Sequence, residues 1–214
     1  MMALVFTAPG EREEVKPFEG FPFGISRGSS VAVLFSDELS EVFLLAYIER
    51  AFLERDKVYH VQVSGGFSPL VIHRIATDTG NLHFGRTYRI QDVIRALDVV
   101  DPGSALVVSG FPLLEGRNGS TVVEVLERAS ERDLTLFLSH TPLVLNELDL
   151  FGEFTRYFEF PELFEYLLVA RVKSYRGHYR LGISLLRAPG ELVSLLGEHS
   201  VPIDKEIAPI LNPK

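Results

Sequence analysis

The stretch Val31–Glu41, "VAVLFSDELSE", passes from an unbroken apolar run straight into an acidic segment. A short apolar run bounded by a turn signal reads as a buried strand, and Ser-Asp before a Leu/Glu-rich stretch reads as a capped helix start. A strand feeding a helix this abruptly is the unit from which parallel α/β sheets are built. Where such a turn holds phosphate it reads G-x-x-x-x-G-K-[ST], because glycines let backbone amides close on the anion and lysine adds charge. Ser36–Glu41 contains no glycine and no lysine, but it does contain Asp37, Glu38 and Glu41.

The strand–helix alternation continues downstream. "ELSEVFLLAYIERAFLERD" (38–56) predicts a helix, "KVYHVQV" (57–63) a strand ending in Ser-Gly-Gly, and "SPLVIHRIAT" (68–77) a helix. "RIQDVIRALDVV" places Val93, Ile94, Leu97 and Val100 at helical spacing. "SALVVSG" (104–110) and "LTLFLSH" (134–140) predict buried strands, with the helix "STVVEVLERASERD" between them. Strands separated by helices of this length pair in parallel through crossovers. The segment 165–188, "EYLLVARVKSYRGHYRLGISLLRA", has two β-rich runs around Arg-Gly and predicts an antiparallel hairpin extending the sheet edge. Residues 1–28 read as an irregular N-terminal segment, 29–188 as one α/β domain, and 189–214 as a mixed, partly mobile tail.

Composition narrows the function classes. The 214 residues are 46% hydrophobic, enough for one substantial core, and the net charge of -8 argues against a chain-wide nucleic-acid footprint. Net charge does not describe arrangement, so a local basic patch stays compatible with it. No apolar run reaches the ~18 residues of a membrane span and no signal-like leader opens the chain, so a soluble cytoplasmic protein is expected. The absence of cysteine removes disulfides, thiolate metal sites and cysteine nucleophiles. The two methionines, four asparagines and two glutamines resemble the depletion seen in heat-adapted proteins.

The run "GFPFGISRGSSVAVLFS" (20–36) resembles the opening of RecA-superfamily ATPases of the KaiC and RadA kind, with Gly24–Gly28 as the glycine turn and Ser30–Phe35 as the first strand. "ALVVSGFPLL" (105–114) stands where that superfamily has its Walker B strand, and the closing hairpin resembles its terminal antiparallel strands. The resemblance spans about Phe21–Leu186 and implies a three-layer α/β, RecA-like, mostly parallel sheet with a C-terminal antiparallel hairpin. It is also similar to a small archaeal family of degenerate domains of this type. Three parts of the ATPase pattern are absent: the Walker A loop and its lysine, the Walker B aspartate (Ser109 stands there), and a catalytic glutamate after the second strand (Ser64-Gly65-Gly66 stands there). ATPase activity is therefore not expected, and no cofactor or metal is implied. The superfamily's habit of packing side by side, which persists in the P-loop-less Elongator accessory ring, implies an interaction or scaffold role in an oligomer or accessory complex.

Ligands of open α/β sheets bind at the carboxyl ends of the strands, which points to Ser36, Asp37, Glu38, Ser64, Ser109 and His140 as lining one crevice. Two further functions follow from that set: a small-ligand or nucleotide-binding regulator, or a hydrolase of Ser, His140 and Asp37. The plainer reading is that small polar residues end strands by bonding to turn amides, and that Asp37 caps a helix. "GISRG" matches the nucleophile-elbow string, but Ser26 precedes a strand instead of following one. The six histidines show no metal-ligand spacing. Phe151, Phe154, Tyr157, Phe158 and Phe164 form a dense aromatic series, readable as a partner surface or as core beneath the hairpin. "RVKSYRGHYR" alternates cations with tyrosines, a pattern found on single-strand binders and, more commonly, on solvated faces. A protein partner or self-association is expected, with no membrane and no nucleic-acid partner.

Overall fold

The computed structural model describes residues 12–63 and 69–211. After a two-stranded ladder, β1 (Glu14–Val15) with β2 (Ile25–Ser26), the chain alternates strand and helix. The order is β3 (Ser30–Phe35), α1 (Glu38–Leu53), β4 (Val58–Gln62), β5 (Leu82–Arg86), α2 (Ile90–Val99), β6 (Ala105–Ser109), α3 (Gly119–Glu131), β7 (Thr135–His140) and α4 (Leu150–Phe158). It closes with β8 (Tyr166–Tyr175), β9 (His178–Arg187), β10 (Gly197–Pro202) and α5 (Asp204–Leu211). These strands, β1 and β2 apart, form an eight-stranded sheet in the order β10-β9-β8-β3-β7-β6-β4-β5. The six strands from β8 to β5 are parallel, and β9 and β10 add antiparallel at the other edge.

Strand alternation sorts the core into two layers. Val31, Val33, Phe35 and Val107 face α1, while Ala32, Leu34, Leu106 and Val108 face α2, α3 and α4. Most surface helices have one buried stripe, but Phe43–Ile48 of α1 are all buried. The cause is the N-terminal segment, which reads as loop in the sequence. Phe18 packs edge-on against Phe43 and Tyr47, at centroid distances of 6.0 and 5.5 Å, and covers the outer side of the helix. From α5, the Glu206 carbonyl accepts a 2.7 Å bond from the Tyr47 hydroxyl. The segment 12–28 and the end of the chain thus complete the layer outside α1.

The hairpin forms as the sequence indicates. Arg176 and Gly177 both take positive φ (52° and 83°), the signature of a two-residue type I′ turn whose twist matches its strands. Other elements depart from expectation. Of the stretch 68–77 predicted as a helix, Ser68 lies outside the described residues and the rest forms a 3-10 turn, Pro69–Arg74, with no α-helix. Strand β5 escapes a periodicity reading because it is an exposed edge strand with a glycine, and α4 escapes because it is short and four of its nine residues are aromatic. The tail is also more ordered than expected: β10 pairs with β9 along six residues, and α5 buries Ile207 and Ile210 despite containing Pro209.

The aromatic series resolves mostly into core. Phe154, Phe158 and Phe164 are buried, with Phe158 stacked on Phe154 and edge-on to Phe164, so burial removes them from any partner surface; Tyr157 is half-buried and Phe151 is exposed. Phe158→Ala is expected to cost about 3–5 kcal/mol in urea unfolding, whereas Phe151→Ala should stay within about 0.5 kcal/mol. Equal costs would contradict this division.

Candidate functional site

The turn after β3 is tied together by one carboxylate. Asp37 is the N-cap of α1, and its Oδ1 accepts the Ser40 amide at 2.8 Å. Its Oδ2 accepts the Ser36 and Ser40 hydroxyls at 2.6 and 2.8 Å. The Ser40 hydroxyl in turn accepts the Val172 amide of β8 at 2.8 Å, so the cap also fastens α1 to the hairpin strand. Glu38 is exposed beside this cap and pairs with no cation among the described residues. Glu41 points inward, 4% exposed, and accepts the Thr141 hydroxyl at 2.9 Å. Burial raises its pKa above the usual carboxylate range, and the Thr141 bond only partly offsets that.

These groups line a crevice of about 430 Å³ at the carboxyl ends of the strands, together with Ser36, Gly110 and His140. His140 ends β7, is 7% exposed, and lies 4.5 Å from the Tyr157 ring. Burial lowers its pKa to about 4, helped by the positive charges of Arg117 and Arg156, so the imidazole is neutral at neutral pH. The strand-end rule therefore brings Ser36, Asp37, Glu38 and His140 together. No hydrogen bond joins the His140 ring to a serine among the described residues, and Asp37 is engaged by the helix start, so these groups do not form a hydrolytic triad. Ser64 lies outside the described residues.

Ser109 belongs to a different cluster. Like Ala105 and Val107 it faces α1, where its hydroxyl meets His60 Nε2 at 2.9 Å while His60 Nδ1 meets the Glu49 carboxylate. Serine, histidine and glutamate thus stand in triad order, yet all three are 0% exposed, so no substrate reaches the hydroxyl. The cluster joins α1, β4 and β6 as a structural polar link. The sequence does hold a signal for it: Val58 and His60 share parity, as do Val107 and Ser109, and both pairs face the same helix. Ser26, by contrast, is bound to the buried Tyr166 hydroxyl at 2.9 Å and lines no crevice.

The crevice also has an apolar rim that sequence reasoning missed. Leu113 after β6 and Leu143 after β7 line it, exposed by 52% and 106%, and the Leu143 loop also carries the exposed Val144 and Leu148. Large aliphatic side chains held in water in such a cluster mark interaction surfaces. The signal was the apolar "PLVL" within a Pro/Asn-containing connection.

No family model matches the chain, and neither does any curated protein. Among solved structures, the chain is similar to the flagellar accessory protein FlaH from Methanocaldococcus jannaschii, with a TM-score of 0.56, 13% identity, and coverage of 77% of this chain and 80% of that one. At this identity the likeness concerns the fold, which is RecA-like: a mostly parallel sheet completed by antiparallel strands. No described helix is long and apolar enough to cross a membrane.

The two buried titratable groups that line the crevice give opposite pH signatures. His140 is depressed from 6.5 to about 4 in the fold, so on acidification the unfolded chain takes up its proton first. Its contribution is present above pH 6.5 and lost as pH falls towards 4, on the order of 3 kcal/mol. Glu41, raised by burial, works in the other direction and favours the fold as it protonates. In urea unfolding, His140→Gln should flatten the loss of stability between pH 6.5 and 4.5; an unchanged slope would place the pH dependence elsewhere.

Proposed function

We propose that this chain is a non-catalytic RecA-like interaction module, working in an oligomer or an accessory complex, with the crevice as its docking site. The observation that carries this reading is the occupation of the α1 start by Asp37. Helix-start amides ordinarily attract phosphate; here the Ser40 amide is already bonded to a carboxylate of the same chain. A phosphate placed there meets Asp37 and Glu38, each repelling it by about 4 kcal/mol at ~4 Å in a surface environment. No lysine lies in the turn to offset this.

The apolar rim supports the protein-docking reading over a small-ligand one, since it offers contact area outside the crevice. FlaH is described as a flagellar accessory protein. For this chain, an accessory role without turnover suits a fold retained while its phosphate turn is acidic.

Thermal unfolding with magnesium and ATP, ADP or GTP tests the proposal. A ligand at ~100 times its dissociation constant adds about 2.7 kcal/mol. No shift of the melting midpoint is expected with any nucleotide; a clear shift would overturn the interaction-module reading and make the crevice a nucleotide site.

A further inference from the structure

The β8–β9 hairpin rises from the same edge of the molecule as the crevice. Phe35, the last residue of β3, is in register with Ala170, and β8 continues five residues further to Tyr175. At about 3.3 Å per residue the tip stands roughly 16 Å beyond the strand end on which the acidic turn is built. Strand β10 accompanies β9 as far as Arg180, and the Ile203 amide and Asp204 carboxylate then hold Tyr179, so the projecting tip is the turn around Tyr175–His178. Lys173, Tyr175 and Arg176 are exposed there; Tyr175 is 71% exposed and the Arg176 guanidinium sits 5.1 Å over its ring. Neither Lys173 nor Arg176 pairs with a carboxylate among the described residues, although nearby Arg171 pairs with Glu147 of the rim loop and His178 with Asp204.

The crevice shows the converse pattern. Among the described residues Asp37 and Glu38 have no cationic partner, and the aliphatic residues Leu113 and Leu143 line the same recess uncovered. One edge of the chain thus presents unpaired cations with an aromatic on a projecting ribbon, and unpaired carboxylates with an apolar rim in a recess. A surface carrying both halves of a complementary contact is self-complementary, which is what a twofold pair requires.

From this we infer that the crevice is filled by the hairpin tip of a second copy of this chain, reciprocally, with Lys173 and Arg176 against Glu38 and Asp37 and Tyr175 on the apolar rim. The inference rests on the crevice being a docking site, as proposed above, and names its occupant.

A charge exchange followed by light scattering tests it. Wild type at about 100 µM should show twice the monomer mass, dissociating as salt shortens the Debye length from about 10 Å at 0.1 M. Glu38→Lys alone and Lys173→Glu alone should each be monomeric, because each sets like charges together in both contacts. Mixing the two single variants should restore the dimer, since every contact in the mixed pair is again opposite in sign. Both positions are exposed, and far-ultraviolet circular dichroism checks that the variants fold. A monomeric wild type, a dimer indifferent to the single changes, or a mixture that stays monomeric would each overturn the inference. A monomer that still ignores nucleotide leaves the docking reading intact with a foreign basic segment as occupant, whereas a nucleotide-induced shift removes that reading itself.

Discussion

The carboxylate of Asp37 is the contact from which the arrangement of this edge follows. It satisfies the Ser40 amide at the start of α1 and gathers the Ser36 and Ser40 hydroxyls, and through Ser40 it reaches the Val172 amide of β8. Strand β3, helix α1 and the hairpin are thereby fixed to one another at the carboxyl edge. Local chemistry decides the polarity of the recess: a helix start that would otherwise seek an anion has one built in, and Glu38 beside it adds a second negative charge. In a phosphate-binding turn the same position is a flexible glycine loop; here it is a closed cap.

Beneath that edge the core carries an unusual polar band. His60 and Ser109 come from neighbouring parallel strands and face Glu49 of α1, while Glu41, about two turns earlier on the same helix, bonds Thr141. Burying such groups is tolerable only when they are paired, and removing one member leaves the others unsatisfied in a dry environment. The band explains why α1 can be covered on every side yet still contain Glu41 and Glu49: the outer side meets Phe18 and α5, and the inner side meets a polar stripe as well as an apolar one.

Much of the parallel sheet was legible because its strands are fully buried and read as unbroken apolar runs. The hairpin was legible because Arg176–Gly177 is a two-residue break between β-rich segments. Strands β5 and β10 were not, since edge strands expose most of their residues and lose the apolar signal. The N-terminal segment read as loop because Phe18, Phe21 and Phe23 are spaced by prolines and glycines; only the tertiary packing shows that they roof α1. For the crevice, the strand-end rule groups Ser109 with Ser36, Asp37, Glu38 and His140, whereas the structure sets Ser109 apart against His60. The pleat turns Ser109 towards α1, a matter of parity that position along the strand does not capture. The aliphatic rim was overlooked because isolated leucines in a loop carry no period.

Native-state hydrogen exchange at the Ser40 and Val172 amides tests most directly whether the Asp37 cap closes this edge. The account predicts that both amides exchange only with global unfolding in the wild type and that both become fast in Asp37→Ala while the β6 and β7 amides stay protected. Rapid exchange of these two amides in the wild type, or indifference to Asp37→Ala, would contradict it.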